Sequence, residues 1–139
     1  MASIINASPS NGIVQTADGS GILKIQSNSV TTNALAWVNF NGTSGASPVI
    51  RASYNISSVT RNSTGYYSVA FTNSTTDVNY SPSVSVAPNA ATGSFVNIFD
   101  NGSFSSVAPT TSGFNIGIYS YTSAAYKDVS YVCVSVFGN

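Results

Sequence analysis

Apolar positions in this chain recur mostly at every second residue, in short runs, which is the spacing of half-buried β-strands. In Val49–Ile56, Ile50, Ala52, Tyr54 and Ile56 point one way and Arg51, Ser53 and Asn55 the other. Tyr67, Val69 and Phe71 alternate with Ser68, Ala70 and Thr72. Tyr80, Pro82, Val84 and Val86 alternate cleanly with Ser81, Ser83 and Ser85. Phe114, Ile116 and Ile118 alternate with Asn115, Gly117 and Tyr119. In Tyr131–Phe137, Val132, Val134 and Val136 share a face, while Tyr131, Cys133 and Phe137 make the other face apolar as well. That last strand is therefore expected to be covered on both sides. Shorter strands are expected over Leu35–Phe40, Phe95–Phe99 and Ser103–Val107.

Turn chemistry falls between these runs. Asn41-Gly42 and Asn101-Gly102 are type I′ hairpin signals, and Asn62-Ser63-Thr64-Gly65 separates two further strands. Good helix formers are scarce, and β-branched and aromatic residues dominate. About seven or eight antiparallel strands follow, so residues 34–139 are expected to form an all-β domain, an antiparallel β-sandwich or jelly-roll-like fold. Residues 1–33 differ. Ile13, Val14, Ile22, Leu23 and Ile25 form two short β-like segments in a small-residue background, too little apolar surface to offset their own ordering. They are expected to act as an extended N-terminal arm for anchoring and oligomerisation, with the boundary near Thr31–Ala34.

Composition narrows the chemistry. Of 139 residues only 6% are charged, with four Lys or Arg, four Asp, and no His. Four scattered cations cannot neutralise a run of phosphates, so nucleic acid is not an expected partner. Without His and with the single Cys133, the usual zinc and copper sites cannot be assembled in one chain, and no metal or other cofactor is expected. Cys133 can form no disulfide within the chain. No apolar run is long enough to span a bilayer, and Met1–Ser10 has neither the basic nor the apolar region of a signal peptide, so no membrane insertion is expected. Zero net charge with so few surface charges favours self-association, and a chain of this kind reads as a subunit whose apolar faces are covered by copies of itself or by a larger particle.

Candidate catalytic residues are absent by the same reading. A Ser nucleophile would have only Lys24, Lys127 and the aspartates as bases, and Gly19-Ser20-Gly21 lacks the spacing of a nucleophile elbow. The chain is expected not to be an enzyme. Asp100-Asn101-Gly102-Ser103 has the donor types of a calcium loop fragment, but turn chemistry accounts for it more simply. Seven Asn-x-Ser/Thr sequons are what so Asn-, Ser- and Thr-rich a composition produces. The candidate binding residues are Tyr119, Tyr121 and Tyr126, which cluster on a polar segment. Two readings are open for them: a ligand surface, such as one for a host glycan, or packing between subunits.

Several blocks resemble a β-domain of tailed-bacteriophage fibre and virion structural proteins. They are Ala36-Trp37-Val38-Asn39-Phe40-Asn41-Gly42-Thr43, Ile50–Asn62, Thr64–Thr72 with Asp77–Tyr80, and Val132–Asn139. The resemblance covers most of residues 34–139, least over 82–112, and Ser3–Asp18 and Gly21–Gln26 are similar to segments that precede such domains. It implies a homotrimer located on a virion, with itself and other virion proteins as partners and a host-surface glycan as a further one. The expected role is a short fibre or displayed knob attached by the arm. Because the chain has almost no shaft, a capsid decoration, cement or neck-fibre role stays open, and a polysaccharide hydrolase is a third alternative.

Overall fold

The computed structural model describes residues 25–27, 30–87 and 93–138, and among them the regular structure is entirely β. A small hairpin pairs β1 (Gln26–Ser27) with β2 (Val30–Thr31). The remaining strands form two antiparallel sheets packed face to face as a β-sandwich. The first holds β3 (Ala36–Asn41), β4 (Val49–Tyr54), β7 (Ser81–Ala87) and β11 (Tyr131–Phe137), in the order β4-β3-β11-β7. The second holds β5 (Ile56–Ser63), β6 (Tyr66–Phe71), β8 (Ser94–Ile98), β9 (Gly113–Ser120) and the short β10 (Ala125–Tyr126). In it β8 lies along one side of β9; β6 and β10 follow each other along the other side, and β5 borders β6.

The alternations read from sequence become rows across these sheets. Phe40, Val132 and Val86 pair in one row, Val38, Val134 and Val84 in the next, and Ala36, Val136 and Pro82 in a third. Opposite them, Tyr67 pairs with Ile116, and Val69 with both Phe114 and Val59. The strand interiors are buried, and each fully buried Val or Ile contributes about 1.5–3 kcal/mol. Pro82 has no backbone donor to offer, and it sits where that is tolerated, on edge strand β7. At one end of β6, Phe71 packs edge-on against Tyr80, with Phe114 beside both. Burial pushes the Tyr80 phenol up to about 12, and its single hydroxyl proton is shared between the carbonyls of Thr110 and Gly113, 2.9 Å away each.

Four expectations are corrected. The run Val49–Ile56 is two strands in different sheets, because Asn55 adopts φ 55° and turns the chain; Asn tolerates that left-handed conformation better than most residues. Within β4 a bulge opposite Asn39 and Phe40 breaks the alternation. Ile50 pairs with buried Phe40, whereas Ala52 and Tyr54 pair with Asn39 and Trp37 on the outer face. Neither Asn-Gly pair forms a type I′ turn: Asn41, Gly42 and Asn101 all lack a positive φ. Gly42 is demanded instead by close approach, since a Cβ there would meet the Tyr67 hydroxyl at 2.5 Å and the Val129 carbonyl at 2.9 Å. Residues Ser103–Val107 form no strand; they fold back in a loop tied by one bridge between Asp100 and Ser106. Finally, among the described residues β11 is covered on one side only. Val132, Val134 and Val136 are buried, and Tyr131, Cys133 and Phe137 stand exposed on the other face.

Candidate functional site

Two clusters of polar and aromatic side chains stand out, and they do different things. The first joins strands far apart in sequence. Arg61 on β5 donates from Nε to Asp128 Oδ1 and Oδ2 at 3.0 and 2.9 Å, and from Nη2 to Oδ2 at 2.7 Å. Asp128 also accepts the Gly65 amide at 2.8 Å and the hydroxyl of buried Tyr67 at 2.6 Å. Burial alone would raise the Asp128 carboxyl, but the Arg61, Tyr67 and Gly65 hydrogen bonds outweigh it and hold the group below the ordinary carboxylate value. Burial, then the hydrogen bond to that carboxylate, raises the Tyr67 phenol far above its ordinary value. The Asp128 carboxylate is filled by the protein's own donors, so this cluster is a clamp between the β10–β11 connection and the β5–β6 hairpin.

The second cluster is the one around the candidate tyrosines. The β9–β10 hairpin pairs Tyr119 with Tyr126, their rings 5.5 Å apart and nearly perpendicular. Tyr121 follows at the hairpin tip, 71% exposed, its ring 6.4 Å from Tyr119. The structure thus brings all three together. It adds Phe104, which is 56% exposed and packs 4.7 Å from the Tyr119 ring and 5.2 Å from that of Tyr126. Beneath the rings lies Asp100, only 3% exposed. Its carboxylate accepts the Tyr126 hydroxyl and the Asn97 side-chain amide at 2.8 Å each, and the Gly102 amide at 2.6 Å. Burial and the bond to Asp100 raise the Tyr126 phenol above its ordinary value. Gly117 makes the arrangement possible, because a Cβ there would lie 2.7 Å from Asp100 Oδ2 and 2.8 Å from the Tyr126 ring.

Beside this cluster an open groove of about 420 Å³ runs between β8 and the loop after it, lined by Asn97, Asp100, Phe104, Ser105 and Ser106 among others. Phe104 and Asp100 belong to both groove and cluster. The site can stack a ligand on aromatic rings and offer it neutral hydrogen-bonding groups. Phe104 and Asn97 escaped the sequence reading because they lie 15–29 positions before the tyrosines on other segments, and Asp100 stood out there only as turn chemistry. In the structure, Asp100 and Asn101 serve that turn, with Asn101 Oδ1 accepting the Ser103 amide at 2.9 Å.

Of the arm residues, Ile25 is exposed beside the β1–β2 hairpin, and Ile13, Val14, Ile22 and Leu23 lie outside the described residues. Among the described residues no three His, Cys, Asp or Glu side chains are grouped to hold a metal ion. Comparison with family models, curated proteins and solved structures gives no match to this chain.

Proposed function

We propose that this chain is a structural subunit of a tailed-phage virion: a short homotrimeric fibre or displayed knob, attached to the particle by residues 1–33 and presenting the tyrosine hairpin to the host surface. The observation that carries the reading is the outer face of the β4-β3-β11-β7 sheet. Trp37, Tyr131 and Phe137 stand there 39%, 51% and 44% exposed, with Tyr54 paired beside Trp37. The guanidinium of Arg51 lies over the Tyr131 ring at 4.1 Å and donates to Asn39 Oδ1 and the Ser130 carbonyl. Ser135 stands between Tyr131 and Phe137 on β11, and Ser81, Ser83 and Ser85 line the neighbouring edge strand β7. A face so aromatic and so poor in charge suits burial against another copy of itself. The three-fold arrangement and the virion setting rest on the family resemblance.

Size-exclusion chromatography with light scattering on the full chain tests the assembly. The expected mass is three times the 14.3 kDa of one chain. The double variant Trp37→Ser, Phe137→Ser should lower that mass while keeping the β-type circular dichroism spectrum. A wild-type chain that stays monomeric at high concentration would refute the proposal. On particles that carry the protein, gold-labelled antibody is expected on the tail or at its junction with the head. Label spread over the capsid shell would instead assign the chain to capsid decoration or cement.

A further inference from the structure

We infer that the groove between β8 and the loop 99–107, together with the exposed rings of Phe104 and Tyr121, is a binding site for a neutral saccharide. Its 420 Å³ falls within the range of small-molecule clefts, about 300–1,000 Å³. The inference deepens the display role proposed above, and it rests on that role only for where the sugar would be met.

Three observations carry it. The first is ring presentation. Phe104, Tyr119, Tyr121 and Tyr126 form a connected run of tilted and edge-on contacts reaching from the groove wall to the hairpin tip, and its two ends are the most exposed members. The C–H face of a pyranose is apolar and flat enough to cover such a ring, while its hydroxyls stay at the rim. The second is the polar lining. Asn97, Ser105 and Ser106 line the groove, and Asp100 is buried at its base, held by three hydrogen bonds of the protein's own. Hydroxyls that both donate and accept match Asn and Ser groups. Among the described residues no basic side chain lines the groove and the one charged group there is the Asp100 carboxylate, so an anionic sugar is repelled where a neutral one is not.

The third is strain. Phe99 and Phe104 both adopt a left-handed backbone, with φ 60° and 59°, a conformation bulky residues avoid. For Phe99 the core compensates, because its ring packs against Tyr80 and Phe114. For Phe104 the ring contacts with Tyr119 and Tyr126 and an amide bond donated to the Tyr126 hydroxyl at 2.8 Å hold the conformation, and the residue still stands more than half exposed at the groove. Backbone strain of this kind, held by its surroundings, clusters at ligand-contact positions.

The test is saturation-transfer NMR on the intact protein with methyl glycosides of glucose, galactose, mannose, rhamnose and N-acetylglucosamine, and with methyl glucuronide as the charged counterpart. Transfer to at least one neutral glycoside is expected, with little or none to the glucuronide. Tyr121→Ala and Phe104→Ala, both at exposed positions, should each weaken binding about tenfold, the loss expected for one stacked ring. The inference is overturned if no neutral glycoside receives saturation, if the glucuronide is preferred, or if binding survives both variants. It is also overturned if the two variants lower the oligomer mass without affecting sugar binding, since the rings would then be contacts between subunits. Absence of sugar binding with the trimer intact would remove this site and leave the building-block proposal standing.

Discussion

Replacing Tyr67 by Phe isolates one hydrogen bond in the clamp that closes the sandwich. The hydroxyl donates to Asp128 Oδ1 at 2.6 Å and lies 3.2 Å from the Gly42 carbonyl, and the residue is fully buried. A hydrogen bond to a charged group contributes about 1.5–3 kcal/mol. The ring and its edge-on contact with Phe40 at 5.3 Å remain in the variant, so the loss should be about 2 kcal/mol. For a domain of this size that lowers the melting midpoint by roughly 8 °C. The sign of the pH effect follows from Asp128. Its folded-state carboxyl titrates below the ordinary value, so its stabilisation is present above the unfolded-state value and is lost as pH falls through the folded one. Without the tyrosine donor that depression is smaller. The stability gap between wild type and variant should therefore be widest near neutrality and shrink below about pH 4, to roughly the 1 kcal/mol of a neutral hydrogen bond. Urea unfolding, followed by circular dichroism at one fixed protein concentration, measures the gap at each pH. A gap under about 0.5 kcal/mol at pH 7, or one that is the same at pH 7 and pH 3, would refute the charge-assisted reading.

Further outcomes follow from other contacts. Gly42→Ala drives a methyl group onto the Tyr67 hydroxyl and the Val129 carbonyl, and should cost about 2–3 kcal/mol in urea unfolding. Ile116 is fully buried at the centre of β9; Ile116→Val should cost about 1 kcal/mol and Ile116→Ala about 3–4 kcal/mol, read by thermal unfolding. Ala124 sits in the β9–β10 turn at φ 48°, so Ala124→Gly should raise stability by about 0.5 kcal/mol, the relief of left-handed strain exceeding the added chain entropy; a drop in midpoint would contradict that account.

Strands whose two faces differ were readable from the chain alone. Ser81–Ala87 is the clearest case, because each Ser faces out and each partner of Val132, Val134 and Val136 faces in. The β4–β5 corner was not readable, because Asn55 between Tyr54 and Ile56 continues an alternation that looks unbroken; only its left-handed φ reveals the change of sheet. The bulge in β4 is likewise invisible, since an extra residue shifts the pattern without altering residue types. The tyrosine group was legible as a composition, but its geometry was not. Phe104 reaches it through a loop whose folding-back depends on Asp100 contacting β10 through Tyr126. The Arg61–Asp128 pair joins residues 67 positions apart, and no local spacing announces such a contact.

The position of β11 bears on how the protein is made. It runs between β3 and β7 and is synthesised after both. Until residues 131–137 leave the ribosome, β3 and β7 lack the strand that joins them. Both would expose ladder groups and valines to anything nearby, including other growing copies. Completion of this layer is thus a late, single insertion event, and slowing translation ahead of codon 131 should raise the share of chains lost to inclusion bodies.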